Sequence, residues 1–469
     1  MAYSTISKHT THFNTTLYSG TGSNATVTGV GFQPDFFWIK QRTSNQGHLL
    51  WDAIRGGNYY VPSSSTAQSN ADIGTFTVAS DGYSYGSDAA YNGSGHTYVG
   101  YNWKAGGTAP TKTYHVVVVS DSGNKYRFRN STDTATFGAS AVTLDLQEGG
   151  TYTFDVSDST LNSHPFVIGT AANSSEYSTG VTYKLDGVTK TYSQYTSGFS
   201  SATSRQLVIT LAASAPALYY WCSAHSGMGG AINTNSLFGS SNFDGNKQSK
   251  VTANQTSGFS MVEYSGSGSS STIGHGLSSA PKMIMVKRMS SSDSWTVYHT
   301  ASGAGKFLRL DTDGAESSNT NTWANTAPTS TVFSVNHDDV NASGQTFQAY
   351  CFADVDGYQK MGLYKGNEST DNAFVYTGFK PSFVIIKNIH GTNNWMLFDN
   401  KREGYNPDND ALHPNINDAE QTDDEIDLLS NGFKIRLSNQ ETGHNGHRYA
   451  YFALGQTMVG SNNVPATAR

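Results

Sequence analysis

The sequence has few charged residues and no concentrated patch of positive charge. Charged residues make up 14% of the chain, and the formal net charge is −7. Binding to nucleic acid needs lysine and arginine side chains gathered on one face, where they neutralise phosphates. Nucleic acid is therefore not an expected partner.

Long apolar stretches and a cysteine framework are also missing. The sequence contains no run of about 18 apolar residues, so it predicts no membrane-spanning helix. Residues 1–8 have no apolar centre, so they predict no secretory signal peptide. The two cysteines, Cys222 and Cys351, lie far apart, which excludes a disulfide framework and agrees with synthesis in a reducing cytoplasm.

What the chain does contain is typical of β-structure. Glycine (48), tyrosine (27) and phenylalanine (23) are abundant, and short strand-like runs alternate with Gly- and Ser-rich turns. No helical period longer than two turns is convincing, and the best helix candidate is 418–429. The composition predicts an all-β protein.

One stretch recurs three times. It is Pro34–Lys40, Pro281–Lys287 and Pro381–Lys387, each with strand-forming residues between the proline and a lysine. Eight residues after the lysine come His48, Trp295 and Trp395, and about 70 residues after the proline comes an aromatic, Trp103, Phe352 or Phe452. Each copy also predicts a hairpin directly after the lysine. We therefore expect three tandem-related β-sandwich repeats of jelly-roll or lectin-like type.

The sequence between the first two copies lacks their recurrent pattern, which predicts an inserted domain. Strand-like runs such as 114–119, 151–156 and 218–221 recur there, with an Asp186-Gly187 hairpin signal. The predicted division is repeat 1 at 1–111, a β-sandwich at 112–235, a connector at 236–256, repeat 2 at 257–356 and repeat 3 at 357–469.

One motif in the insert carries chemistry. Cys222, His225 and Met228 follow a predicted strand at Cys-x-x-His-x-x-Met spacing, and His164 lies upstream. Two imidazoles, a thiolate and a thioether are the ligand types of a blue-copper centre. Residues 112–235 resemble the cupredoxin family, with the short loop that some members have. The resemblance implies that His164, Cys222, His225 and Met228 are copper ligands.

Two features leave alternatives open at this motif. Pro165 stands where the family usually has a polar residue that braces the loop, and 171–206 is long. Zinc is an alternative ion, although a thioether is a poor zinc ligand. The other alternative is a sandwich kept as a spacer, with the four residues filling one end of its core. No cofactor is certain, and copper is the candidate.

Other candidate residues favour structural roles. The acidic residues of 408–427 lack the spacing of a calcium loop and are better explained as a solvated loop. Asp52 and Asp399 occupy matching places, but the second copy has His299 there, which argues against a catalytic pair in each unit. Trp51, Trp295 and Trp395 are expected in the core rather than stacked on sugars.

The sequence of the repeats is also similar to that of a known group of proteins. The text of residues 28–40, the closing strand at 98–105 and the opening at 3–8 resemble a repeat of virion structural proteins in marine tailed bacteriophages. Segments ending in Cys-x-x-His-Ser-Gly-Met-Gly-Gly also occur in those proteins. The resemblance implies a fibre, spike or capsid-surface protein located in the virion.

These expectations give one favoured function and two alternatives. The favoured function is a non-enzymatic virion structural protein, with other virion proteins as partners, a homo-oligomeric state guessed as a trimer, and a host-surface glycan as a further partner. A copper-binding or electron-transfer protein is the first alternative. A carbohydrate-active enzyme is the second.

Overall fold

The structure is a computed structural model that describes residues 4–57, 59–67, 76–235, 238–367, 369–403 and 405–458, without the side chains of 408, 409 and 423–425. The protein is all-β, which confirms the predicted fold class. Across these ranges no helix is long and apolar enough to cross a membrane. The chain forms two compact units: Met1–Ala105, Ala253–Ser271 and Gly276–Arg469 form the first, and Gly106–Thr252 and Thr272–His275 form the second.

The strands follow one another along the chain with only short helices between them. From the amino end they are β1 (Phe13–Ser19), β2 (Ala25–Val27), β3 (Phe36–Gln41), β4 (Leu49–Asp52), β5 (Val61–Pro62), β6 (Thr77–Ala79), β7 (Gly82–Tyr85) and β8 (Thr97–Trp103). Next come β9 (Thr111–Ser120), β10 (Asn124–Phe128), β11 (Leu144–Gln147), β12 (Thr151–Asp155), β13 (Phe166–Ala171), β14 (Ser174–Glu176), β15 (Val181–Leu185), β16 (Val188–Lys190), β17 (Arg205–Thr210), β18 (Leu218–Cys222), β19 (Gly230–Asn235) and β20 (Ser240–Asn242).

The second half of the chain continues in the same way. Its strands are β21 (Ser249–Asn254), β22 (Phe259–Ser265), β23 (Ser271–Gly274), β24 (Pro281–Arg288), β25 (Thr296–His299), β26 (Lys306–Arg309), β27 (Ser317–Ser318), β28 (Val332–Val335), β29 (Thr346–Ala353), β30 (Gln359–Lys365), β31 (Phe374–Tyr376), β32 (Phe379–Asn388), β33 (Trp395–Asp399), β34 (Asp408–Ala411), β35 (Gln421–Leu429), β36 (Gly432–Ile435) and β37 (Arg448–Thr457). The short α-helices are α1 (Ala89–Asn92), α2 (Tyr192–Gly198) and α3 (Asp338–Asn341).

Three sheets of the first unit share one strand order. We call 13–103, 259–353 and 359–457 the first, second and third segments. Within these segments the strands are ordered β1-β8-β3-β4-β5, β22-β29-β24-β25-β26-β27 and β30-β37-β32-β33, and the second order continues from β22 into β21 and β20. In each segment the closing strand therefore lies between the opening strand and the strand that carries the recurrent lysine. A second sheet, β2-β7-β6 in the first segment and β31-β36-β35-β34 in the third, completes a sandwich there.

Strand register corrects one equivalence inferred from spacing. Trp103 and Phe352 pair with Phe36 and Met283, each two residues after the recurrent proline. In the third segment Leu454 holds that place, whereas Phe452 pairs with Ile385, four residues after the proline. Equating Phe452 with Trp103 and Phe352 was therefore wrong by two positions, because the third segment has two more residues before this pairing than the second segment and four more than the first.

The three segments of the first unit share one hydrophobic core. Its fully buried members come from the inner faces of all three sheets, and a small apolar cavity lies among them, lined by Phe36, Trp38, Trp103, Met283, Met285, Phe352, Phe383, Ile385 and Phe452. Strand residues two apart point to the same face of a sheet, so each segment places the same positions at this centre.

Two of the three recurrent lysines join one segment to another. Lys287 donates to the backbone oxygen of Thr66 in the first segment (3.0 Å), and Lys387 donates to that of Asp313 in the second (2.8 Å). Lys40 donates to the oxygen of Gln41 (2.6 Å) within its own segment. Burial lowers the pKa of each of these lysines to about 8. Each ammonium is held by carbonyl dipoles, which offset part of its desolvation.

The residues eight positions after each lysine make a parallel set of contacts. Trp295 Nε1 donates to Pro62 O (2.8 Å), and Trp395 Nε1 donates to Arg309 O (2.8 Å). His48 Nε2 lies 3.0 Å from His413 O. Each side chain thus reaches the backbone of another segment: second to first, third to second, and first to third.

The best helix candidate, 418–429, is not a helix, because residues Gln421–Leu429 form strand β35. Ile426 and Leu428 are both fully buried and pair with Ile435 and Phe433 of β36. Alternate burial is the period of a strand, and cross-strand packing decides the structure of a segment whose own helical preference is weak.

The second unit is a sandwich of two sheets. Their strand orders are β10-β9-β12-β17-β15-β16 and β11-β19-β18-β13-β14. Aromatic and aliphatic side chains fill the space between them, including Tyr126, Phe154, Phe166 and Tyr220. The predicted insert at 112–235 lies within this unit, and the stretch predicted as a connector contains β20 and β21, which pair with each other.

Candidate metal centre

Two neighbouring strands bring His164 and Cys222 to one end of the second unit. Cys222 is the last residue of β18, and its partner across the sheet is Phe166, the first residue of β13. His164 lies two residues before Phe166. Because the two strands are antiparallel and adjacent, the start of one meets the end of the other.

A tight loop then returns the chain from β18 to β19 and carries His225 and Met228. Gly227 has a positive φ of 75°, and Gly229 lies so close to the neighbouring strand that a Cβ would stand 1.7 Å from Tyr220 O. Only glycine fits at the second position, and it is favoured at the first. Tyr220 and Gly230 pair directly, which closes the loop.

Three potential ligand atoms converge at this end. The Nδ1 atoms of His164 and His225 are 3.0 Å apart, and Cys222 Sγ lies 3.9 Å from the first and 3.7 Å from the second. Among the described residues, these three form the one group of His, Cys, Asp or Glu side chains whose ligand atoms all lie within 4.8 Å of one another. Cys222 and His164 are buried, whereas His225 is exposed at the surface.

Met228 lies in the same loop with its side chain buried in the core of the second unit, as is that of Cys222. Its backbone oxygen accepts a hydrogen bond from Tyr126 N (2.9 Å). The structure therefore places His164, Cys222 and His225 together, and fixes Met228 at the end of the loop that carries His225.

Burial and the neighbouring imidazole both lower the pKa of His164. Desolvation disfavours the charged ring, and a positive charge on His225 would repel it. A neutral imidazole is the form that ligates a metal ion, so both effects favour the ligating form.

Several residues that the sequence analysis did not select hold this site in place. Asn124 Nδ2 lies 3.3 Å from His164 Nε2, on the ring edge opposite the converging Nδ1, and Tyr126 donates its hydroxyl to His164 O (2.9 Å). Asn173 Oδ1 accepts from Gly227 N (2.8 Å), and Lys125 donates to Gly227 O. They come from β10 and from the turn after β13, so no sequence spacing points to them.

Pro165, the residue after His164, contacts the cysteine loop through its backbone. Ser223 N donates to Pro165 O at 3.1 Å, which ties the cysteine loop to the histidine segment. A proline lacks an N–H but keeps its carbonyl, so it can still accept this bond.

The other candidate residues have structural surroundings. Trp51, Trp295 and Trp395 are buried, which confirms their expected place in the core. Asp52 and Asp399 are fully buried, and each forms an ion pair with the arginine three residues later. In the acidic stretch, Glu420 pairs with Arg42 and Arg402, and the side chains of 423–425 lie outside the described residues.

The fold and this site define an all-β protein of two units, one of which gathers two imidazoles and a thiol at the end of a sandwich. A family model described as a domain of unknown function, DUF7483, matches residues 8–146 and 233–457, more than three quarters of the chain. The chain therefore belongs to the DUF7483 family. Comparisons with curated proteins and with solved structures find no match.

The family match leaves out residues 147–232, and that gap contains the whole candidate centre. His164, Cys222, His225 and Met228 all lie within it. Membership of the family thus describes the first unit and the edges of the second, and the chemistry of the centre must be argued from its own residues.

Proposed function

We propose that the second unit binds a copper ion through His164, Cys222 and His225, with Met228 as a weaker fourth ligand. The observation that carries this proposal is the convergence of two imidazole Nδ1 atoms and one Sγ within 3.9 Å of one another. Two imidazoles and one thiolate are the equatorial donors that copper takes in electron-transfer sites, with a long axial thioether.

The donor set fits copper better than zinc. Structural zinc sites use four cysteine or histidine ligands in a closed tetrahedron, and here the fourth candidate is a thioether. When bound, copper would supply one-electron exchange. The chain itself would favour the neutral imidazole of His164, orient that ring through Asn124, and shield Cys222 from water.

A copper titration of the purified full-length chain tests this proposal. We expect strong visible absorption from the thiolate–copper bond at one equivalent of copper(II), and we expect Cys222→Ser to abolish the colour. Cys351→Ala is the matched control, because Cys351 is the other cysteine, is buried in the first unit and should leave the colour unchanged. Colourless wild-type protein after copper addition would refute the proposal.

We also propose that the chain as a whole is a structural protein on the surface of a phage particle, with the copper-binding unit as one of its parts. The reciprocal buried contacts among the three segments support this role, because they make the first unit a rigid support. Other virion proteins, further copies of the chain and host-surface glycans are the proposed partners.

Locating the chain in particles tests the second proposal. Mass spectrometry of gradient-purified particles should find the chain at a fixed stoichiometry, and labelled antibodies should bind intact particles. Its absence from particles, with the protein present in infected-cell lysate, would overturn the structural role and leave the copper proposal standing on its own.

A further inference from the structure

Two exposed aromatic rings lie side by side on the outer face of the third segment. Phe374 and Tyr376 belong to β31, and their exposed fractions are 44% and 53%, whereas Val375 between them is buried. Residues two apart on a strand are on one face, about 7 Å from each other along the strand. The strand is the edge of its sheet and pairs with β36.

The neighbouring strand leaves both rings uncovered. Tyr376 pairs with Gly432, which has no side chain. A Cβ at Gly432 would stand 3.2 Å from Phe374 Cε2, so the phenyl ring leans over this glycine. The two rings therefore present an open surface.

Charged groups border the rings. Lys360 Nζ lies over one face of the Tyr376 ring, 5.6 Å from its centre, and 3.4 Å from Tyr376 O. Lys434 pairs with Phe374 across the strands and forms an ion pair with Asp371, whose side chain is 87% exposed. Ammonium donors and a carboxylate acceptor thus lie within reach of anything that rests on the rings.

The first segment shows that the sandwich does not need these aromatics. Its strand β2 pairs with β7 as β31 pairs with β36, with buried Val27 opposite Tyr83 where Val375 lies opposite Phe433. On either side of Val27 stand Thr26 and Thr28, both exposed. The same structural place is filled by threonine in one segment and by aromatic rings in the other.

We propose that Phe374 and Tyr376 form a carbohydrate-binding platform, on which two sugar rings of a polysaccharide stack while Lys360, Lys434 and Asp371 bind hydroxyl groups. A sugar ring has an apolar C–H face and polar edges, which matches flat aromatic rings within a charged border. Exposed aromatics grouped in this way mark an interaction site.

The surroundings of the strand favour a sugar over other occupants. A partner strand would need a long free edge, but β31 has three residues and Lys360 already contacts Tyr376 O. Single-stranded nucleic acid also stacks on aromatics, but it needs a basic groove, and here the net charge is −7 and Asp371 lies beside the rings. The inference rests on the proposed surface role only for including lipopolysaccharide of the host bacterium among the polysaccharides tested.

Affinity electrophoresis of the purified full-length chain tests the platform. Native gels would contain lipopolysaccharide from the host bacterium, alginate, laminarin, dextran or xylan. We expect at least one polysaccharide to retard the wild type, and the double variant Phe374→Thr/Tyr376→Thr to bind at least tenfold more weakly. This variant copies the residues of the first segment, so it should fold, as an unchanged thermal transition would show.

The controls separate the platform from general stickiness. Tyr405→Thr removes a ring that is 61% exposed at another place and should bind as the wild type does. Phe374→Trp/Tyr376→Trp keeps two rings and should retain binding. Equal retardation of wild type and double variant, no retardation by any polysaccharide, or retardation by oligo(dT) alone would overturn the proposal. A chain absent from particles but retarded through these rings would refute the surface role and keep the platform.

Discussion

Among the polar contacts that join the segments of the first unit, two kinds occupy equivalent places, and the difference between them is instructive. Asp52 of the first segment accepts the Tyr350 hydroxyl of the second (2.6 Å), and Asp399 of the third accepts the Tyr101 hydroxyl of the first (2.7 Å). Between the second and third segments, His299 Nε2 instead lies 3.1 Å from the backbone oxygen of Tyr451.

Register shows that these contacts occupy equivalent places. Asp52, His299 and Asp399 pair with the residue two positions after the recurrent proline of their own segments. The residues that pair four positions after it are Tyr101, Tyr350 and Phe452. Three residues after the acid come Arg55 and Arg402, but Ser302 follows His299.

The three positions therefore differ as a set: two of the contacts have Asp, Arg and Tyr, and the third has His, Ser and Phe. A buried carboxylate needs a cation and a hydrogen-bond donor, or it carries the full cost of desolvation. Phe452 has no hydroxyl and Ser302 has no charge to pair with a carboxylate. A neutral imidazole at His299 needs neither, because its N–H can donate to the backbone carbonyl of Tyr451. The comparison teaches that the acid is tolerated only with its complete set of partners.

The largest effect is expected from His299→Asp. The change buries a carboxylate facing the Tyr451 carbonyl, with no arginine three residues on, and such an unpaired buried charge costs about 3–5 kcal/mol. Calorimetry should show a marked fall in the thermal transition of the first unit. An unchanged transition would contradict the requirement for a complete set of partners.

A triple variant sharpens the same comparison. His299→Asp/Ser302→Arg/Phe452→Tyr rebuilds the set found at Asp52 and Asp399, and it should recover most of the stability lost in the single variant. Adding Ser302→Arg alone to the wild type is the control. It should not stabilise the chain, because the arginine then faces an imidazole instead of a carboxylate.

A smaller effect is expected from acid. Burial lowers the pKa of His299 to about 4, while in the unfolded chain the ring titrates near 6.5. Between these values the unfolded state binds the proton and the folded state does not, so stability is lost as the pH falls from about 6.5 to 4, by roughly 3 kcal/mol. His299→Gln, which keeps a donor for Tyr451 O, should remove this part of the pH dependence in parallel urea titrations.

The smallest effect is expected from Tyr350→Phe. Asp52 keeps Arg55 but loses one hydrogen bond, and a bond to a charged group contributes about 1.5–3 kcal/mol. Urea unfolding should show a loss near the lower end. Tyr405→Phe serves as the control at an exposed position. An equal loss of stability in the two variants would mean that the Tyr350 hydroxyl contributes no more than an exposed hydroxyl does.

Much of the fold could be predicted because periodicity and recurrence are local signals. The hairpin after each recurrent lysine is present, as β3 with β4, β24 with β25 and β32 with β33. The register around Phe452 could not be predicted, because aromatics stand at two positions of one face and spacing alone does not choose between them. Strand β35 was missed because its partner strands, rather than its own sequence, decide its conformation.

Some residues of the candidate centre could be predicted from the sequence, and others could not. Cys222 and His225 are three residues apart, so their proximity could be predicted, and His164 followed from the ligand types. Asn124, Lys125 and Asn173 could not, because they reach the site from strands and turns that only the folded sheets bring near it. The exposed pair on β31 looked like ordinary strand sequence until the burial of Val375 separated the two faces.

The direction of the contacts between segments fixes how many segments there can be. The second reaches the first, the third reaches the second, and the first reaches the third through His48, so each segment both makes and receives one contact of this set. Open arrays such as solenoids lengthen by adding units at an end. Here the contacts close on themselves after three segments, so a fourth segment could enter only by breaking one of them.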